Sequence, residues 1–113
     1  MIDMDIMHNV FGSNQMAILK YLASFIEITS KILENVDKAI REKNQIAAIE
    51  YLHKLKGPVG TIGLKKLYKI CEQAEKQINQ SEWTSANYLC RDIEKILKNI
   101  EDELQKKIKI SDS

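Results

Sequence analysis

One short stretch of the chain combines residue types that can carry chemistry: His53, Lys54, Leu55, Lys56, Gly57, Pro58, Val59, Gly60, Thr61, Ile62 and Gly63. On a helix, Lys56 and Gly57 lie three and four positions beyond His53 and share its face, while Leu52 and Leu55 point elsewhere. That spacing puts the imidazole near the surface. Glycine inside a helix costs about 1 kcal/mol relative to alanine. Placed one turn beyond a surface histidine, Gly57 gives another protein room to approach the ring. A mobile ammonium at Lys56 stands where the oxygens of a ring-bound phosphoryl group would be, which suits a phosphorylated imidazole better than a metal-bound one. A plainer reading stands beside this one. A histidine on a helix flank is usually an ordinary polar surface residue, and Gly57 with Pro58 can simply mark a helix end.

The elements that must position these residues are all helical. No stretch shows sustained period-two alternation, whereas apolar residues recur at three and four along nearly the whole chain. A short first helix is expected from Asp3 as cap, through Ile6, Met7, Val10 and Phe11, to Gly12. Ser13 or Asn14 caps a long second helix with Leu19, Leu22, Ile26, Thr29, Leu33, Val36 and Ile40 in line, ending near Lys43 and Asn44. The third starts near Asn44 and aligns Ala48, Leu52, Leu55 and Val59. Pro58 lacks an N–H and its ring meets the carbonyl of Lys54, so this helix is expected to kink or end there. The fourth, Leu64 to Asn79, carries Leu64, Leu67, Cys71, Ala74 and Ile78. Ser81 is expected to cap the fifth, which buries Trp83, Ala86, Cys90, Ile93, Leu97, Ile100 and Leu104, with Lys106 and Lys107 at the negative end of the helix dipole. Long amphipathic helices joined by short turns predict an all-α, antiparallel up-down-up-down four-helix bundle with a short additional N-terminal helix.

The 113 residues suit a single domain, with a core over about 2–105 and a frayed C-terminal tail. Seventeen basic and sixteen acidic side chains are interspersed, so no global field gathers nucleic acid or anionic lipid. No apolar run is long enough to span a bilayer and no secretory segment opens the chain, so a cytoplasmic location without direct membrane contact is expected. Cys71 and Cys90 lack a CxxC companion and read as reduced core residues, and no metal site is written in the sequence. His8 reads as a surface residue, and Trp83 as packing over the bundle end.

The stretch resembles the signature of the histidine-containing phosphotransfer (HPt) family, His-x-Leu-Lys-Gly with a further glycine ten positions after the histidine. His53, Leu55, Lys56, Gly57 and Gly63 match it. Upstream, residues 2–6 with Phe11 and Gly12 resemble the family's short first helix. Downstream, Leu67, Cys71 and Glu75 fall where members place Leu, a small residue and Gln or Glu, so the resemblance covers nearly all of residues 2–105. It implies a phosphorelay intermediate without kinase activity of its own, accepting a phosphoryl group from a receiver-domain aspartate on His53 and passing it to another. It further implies attack through Nε2, with Glu75 accepting a hydrogen bond from Nδ1. No cofactor is expected on the chain, Mg²⁺ belonging to the partner receiver. An imidazole with the ordinary pKa near ~6.5 is largely neutral at cytosolic pH and needs no dedicated base.

Helical spacing nominates Ile46, Ile49, Glu50, Gly57 and Gly60 as the skirt on which a receiver docks. Glu75 also has a plainer reading as a solvated carboxylate in an intrahelical ion pair, although its neighbours three and four positions away, Cys71, Glu72, Ile78 and Asn79, include no base. Two other functions stay open at the level of sequence: a passive helical interaction module that would tolerate His53→Gln, and a histidine domain fed directly by a kinase catalytic domain. Open as well is whether the chain stands alone or ends a longer hybrid sensor kinase.

Overall fold

The computed structural model describes residue 12 and residues 14–112. Four helices follow one another: α1 (Gln15–Arg41), α2 (Gln45–Thr61), α3 (Lys65–Asn79) and α4 (Trp83–Asp112). The expected short first helix and His8 lie outside the described residues. Each helix packs on its neighbours in sequence, and α1 packs on α4 to close the ring. Connections of three residues leave antiparallel neighbours as the only geometry, so the four-helix bundle expected from periodicity is the fold. The 48 Å long axis matches a helix of thirty residues at about 1.5 Å rise. Among the described residues, no helix is long and apolar enough to cross a membrane.

Capping explains where the helices begin. Asn14 and Asn44 are extended and their side chains accept from the backbone N–H of Ala17 and Ala47, both at 3.1 Å, which satisfies a donor that the first turn leaves free. Helix α3 starts less well. Leu64 offers no side-chain cap, the first turn holds no acid, and Lys65 and Lys66 stand against the positive end of the dipole.

All three turns end the preceding helix the same way. Lys43, Gly63 and Ser81 adopt positive φ values of 52°, 75° and 58°. Their N–H groups donate to the carbonyls of Ile40, Gly60 and Ile78, and the next residues, Asn44, Leu64 and Glu82, donate to Ala39, Val59 and Gln77. This is the Schellman pattern, with each following residue doubling as the start of the next helix. The expectation for Ser81 is corrected here: it is the left-handed terminator of α3, and Glu82 is the residue that precedes α4. Sequence offered a serine before an apolar run, and the left-handed position, which usually falls to glycine, took it instead.

The buried stripes follow the expected periodicity. Leu19, Leu22, Ile26, Thr29, Leu33, Val36 and Ile40 of α1 face inward, as do Ala48, Leu52, Leu55 and Val59 of α2 and Leu67, Cys71, Ala74 and Ile78 of α3. In α4, Ala86 to Leu104 fill the core while Trp83 is half-buried against it. Thr29 is tolerated inside because its hydroxyl donates to the Phe25 carbonyl at 2.7 Å. Gln45 ties the start of α2 to the end of α3, its amide donating to the carbonyls of Ile78 and Asn79.

One boundary differs from expectation. Helix α2 does not stop at Pro58 but runs three residues further, to Thr61. One missing N–H costs a single internal bond, and Val59, Ile62 and Leu64 beyond it are fully packed. Helix α4 continues to Asp112, with no glycine or proline along it.

Because a non-glycine residue in the left-handed region is strained by about 1 kcal/mol or more, Ser81→Gly is expected to stabilise the fold by roughly 0.5–1 kcal/mol and Gly63→Ala to destabilise it by about 1–2 kcal/mol. Thermal unfolding checks both, at about 4–8 °C per kcal/mol for a domain of this size. Equal melting temperatures for Gly63→Ala and the wild type would refute the role given to that turn.

Candidate functional site

The site is built on the outward face of α2. With Ala48, Leu52, Leu55 and Val59 wholly buried, the positions on the opposite side of a 3.6-residue helix are 46, 50, 53, 57 and 60. Ile46, Glu50, His53, Gly57 and Gly60 are all exposed, and Ile49 is half-buried at the edge of the same strip. Ile46 is 80% exposed, unusual for a residue of its kind unless something covers it. No group among the described residues hydrogen-bonds the His53 ring. Lys54 leans back over the Tyr51 ring, 5.2 Å from its centroid, with Glu50 at 3.6 Å, so it forms the rim of the strip.

The two strip glycines do different things. A Cβ on Gly57 would meet nothing within 4 Å, so the missing side chain leaves open space one turn beyond the imidazole. A Cβ on Gly60 would lie 3.5 Å from the Tyr68 ring, an ordinary contact. Neither glycine is demanded by packing among the described residues. The Gly57 carbonyl also accepts the Thr61 hydroxyl at 3.0 Å, which ties down the last turn of α2 beyond Pro58.

Lys56 and Glu75 are brought together, but not as the sequence suggested. The Lys56 ammonium is 3.2 Å from both Glu75 carboxylate oxygens and donates a hydrogen bond to Oε2. The two side chains are only 13% and 18% exposed, and the ammonium also lies 5.5 Å from the centre of the Tyr68 ring. Lys56 is therefore anchored between α2 and α3 rather than a mobile surface cation. Glu75 takes its base from the other helix, since its own neighbours three and four positions away include none. Its carboxylate bonds to Lys56 rather than to His53. Its Oε1 is buried and lies 3.2 Å from the same ammonium, with no hydrogen bond of its own among the described residues.

Electrostatics follow this geometry. Burial pulls the Lys56 pKa down, but the Glu75 hydrogen bond and charge more than offset it, and the net shift is upward. One turn before Glu75, burial pushes the Cys71 thiol up to about 12, with Cys90 and Glu75 adding to it. Cys90 is likewise pushed to about 12, so both cysteines sit as inert core residues.

Tyr68 escaped sequence reasoning. It touches the site from two sides, over Lys56 and beside Gly60, yet its one sequence signal is an aromatic residue at the border of the α3 stripe.

Residues 20–106 match the family model described as Hpt domain. No curated protein sequence matches the chain. Among solved structures, histidine-containing phosphotransfer protein B from Pseudomonas aeruginosa PAO1 is similar, with a TM-score of 0.81 and 16% identity over 94% of this chain and 92% of that one. At that identity the likeness speaks for the fold.

A lysine whose pKa is raised on folding contributes stability that is complete below its unfolded value of 10.5 and lost as pH rises through the higher folded value. Above about pH 10.5 the wild type is thus expected to lose stability more steeply than Lys56→Met. Urea denaturation of both proteins from neutral to strongly alkaline pH measures this, and parallel curves would count against a buried Lys56–Glu75 pair.

Proposed function

This chain belongs to the Hpt domain family and has a phosphotransfer role in two-component signalling; from that premise we propose that His53 accepts a phosphoryl group from one receiver aspartate and passes it to another. The observation that carries the proposal is the setting of His53. Its ring lies exposed in the middle of the outward strip of α2, with open space at Gly57 one turn beyond.

In the accepting step the Nε2 lone pair attacks the phosphorus of the aspartyl phosphate. The N–P bond forms as the P–O bond breaks, and the aspartate carboxylate leaves with the bonding pair. Nδ1 keeps its proton, so positive charge grows on the ring while the phosphoryl group moves across. Passing the group to a second receiver reverses these events. Such transfer depends mainly on positioning and charge. Receiver domains are its partners, and they bring the aspartate and the Mg²⁺; this chain brings an aimed imidazole and no cofactor of its own. A hybrid sensor kinase upstream and a cytoplasmic setting fit that partnership.

Lys56 supplies positive charge toward the phosphoryl oxygens from its anchored position, and Glu75 orients the ring. What supports the second role is Oε1, a buried carboxylate oxygen that is ion-paired with Lys56 but makes no hydrogen bond of its own, so it can accept from Nδ1–H if the ring turns toward it. The docking skirt comprises Ile46, Ile49, Glu50, Gly57 and Gly60, which share the strip with His53 or flank it. From residue 46 to residue 60 that strip runs about 21 Å, enough to cross much of a standard interface of roughly 800 Å² per partner.

The test mixes the purified chain with a panel of receivers phosphorylated on their aspartates and follows acid-labile label over time. Wild type is expected to gain label and His53→Gln none; label that persists on His53→Gln would sink the assignment. Gly57→Ala separates stability from function. Its methyl group meets nothing within 4 Å among the described residues, so it should stabilise α2 by up to about 1 kcal/mol, while slowing transfer several-fold. A Gly57→Ala protein that is both more stable and fully active would remove Gly57 from the docking surface.

A further inference from the structure

Two turns beyond His53, the outward strip of α2 opens into a hollow between the end of α2 and the start of α3. Gly60, Gly63, Leu64 and Tyr68 line it, with Lys65 and Lys69 at its rim, and its volume is about 280 Å³. We propose that this hollow selects the receiver: it takes one apolar side chain of the receiver's docking segment, flanked by carboxylates that pair with Lys65 and Lys69. The proposal rests on the reading of His53 as an acceptor fed by a receiver.

Four observations lead to this occupant. The hollow is continuous with the phosphotransfer strip, because Gly60 belongs to both and lies about 10 Å along the helix from His53. Gly60 holds it open without being required by packing, since a Cβ there would only touch the Tyr68 ring. Its volume of about 280 Å³ and mostly apolar lining are ample for one apolar side chain. Finally, Lys65 and Lys69 are exposed, and neither has an acidic partner among the described residues. Lys65 also opposes the dipole of α3, so helix stability is not what it serves. Unpaired cations around an apolar hollow suit an acidic rim on the partner, whereas the same face of a second copy would bring like charges.

The experiment begins with phosphoramidate, a small donor that needs no docking surface. Wild type that takes no label on His53 overturns the reading of the previous section and not the hollow as such. With the receiver that transfers fastest, initial rates are then measured against receiver concentration at low and high salt. Gly60→Leu, which fills the hollow, is expected to raise the half-saturating concentration about tenfold or more while the limiting rate changes less than about twofold. Lys69→Glu is expected to raise it as well and to flatten its salt dependence. Lys66→Glu, in the same first turns of α3 but outside the hollow, serves as the control and should behave as wild type. Circular dichroism and melting temperatures establish that each variant is folded. Wild-type saturation and salt dependence in both Gly60→Leu and Lys69→Glu would overturn the proposal. So would an equal loss in Lys66→Glu, which would mean diffuse steering, or a wild type that takes phosphoramidate label but exchanges with no receiver.

Discussion

The rotation of α2 about its own axis is the constraint on which the rest depends. Ala48, Leu52, Leu55 and Val59 are wholly buried, and each leucine or valine so placed contributes roughly 1.5–3 kcal/mol relative to exposure. Turning the helix by one residue, about 100°, would forfeit much of that and push His53 toward the core. The imidazole is thus aimed outward by the side chains on the opposite face, none of which takes part in its chemistry. Neighbours α1 and α3 hold the helix from either side, and the Gln45 amide bonded to the end of α3 fixes one extremity.

The far extremity matters as much. Had α2 ended at Pro58, Gly60 would have left the face that carries His53. The helix instead spends one backbone bond at Lys54 and is closed by the Schellman turn at Gly63, whose donors reach the carbonyls of Gly60 and Val59. The last glycine of the family signature therefore has a conformational task, the positive φ of a turn, while Gly57 is conspicuous for having none. A glycine that neither backbone geometry nor internal packing requires points toward contact with another molecule.

Much of this was legible in the sequence, for reasons that differ by residue. Burial stripes show because apolar spacing records a helix's own period, and Asn14 and Asn44 announced their helices because a capping side chain is a local property. The exposure of His53 followed from the same period. Ser81 was misplaced because strain in the left-handed region is tolerated where tertiary packing sets the turn, and serine carries no sign of that. Of the kink or end expected at Pro58, the end does not occur for a similar reason: packing of Val59 and Ile62 outweighs one lost bond. Pairing between Lys56 and Glu75, nineteen positions apart on different helices, and the double contact of Tyr68 depend on the register of α2 against α3, which no local spacing encodes. Resemblance to the HPt signature supplied what periodicity could not, a relay between receiver aspartates as the work of His53.

The Lys56–Glu75 pair is difficult to justify by stability. Desolvating two charges offsets most of what their attraction returns, and apolar side chains of similar size often serve a core boundary equally well or better. In the proposed phosphorelay the pair has a different logic. A lysine held by a carboxylate and an aromatic face is protonated, placed, and only partly hydrated before any phosphoryl group arrives. When three phosphoryl oxygens come within reach, the ammonium can share its donors with them at little reorganisation cost, since its position is already set. The carboxylate that it partly releases is the one whose Oε1, ion-paired with Lys56 but making no hydrogen bond of its own, would suit an imidazole N–H. In the proposed relay, one cross-helix ion pair thus serves both the anion that is transferred and the cation that develops on the ring.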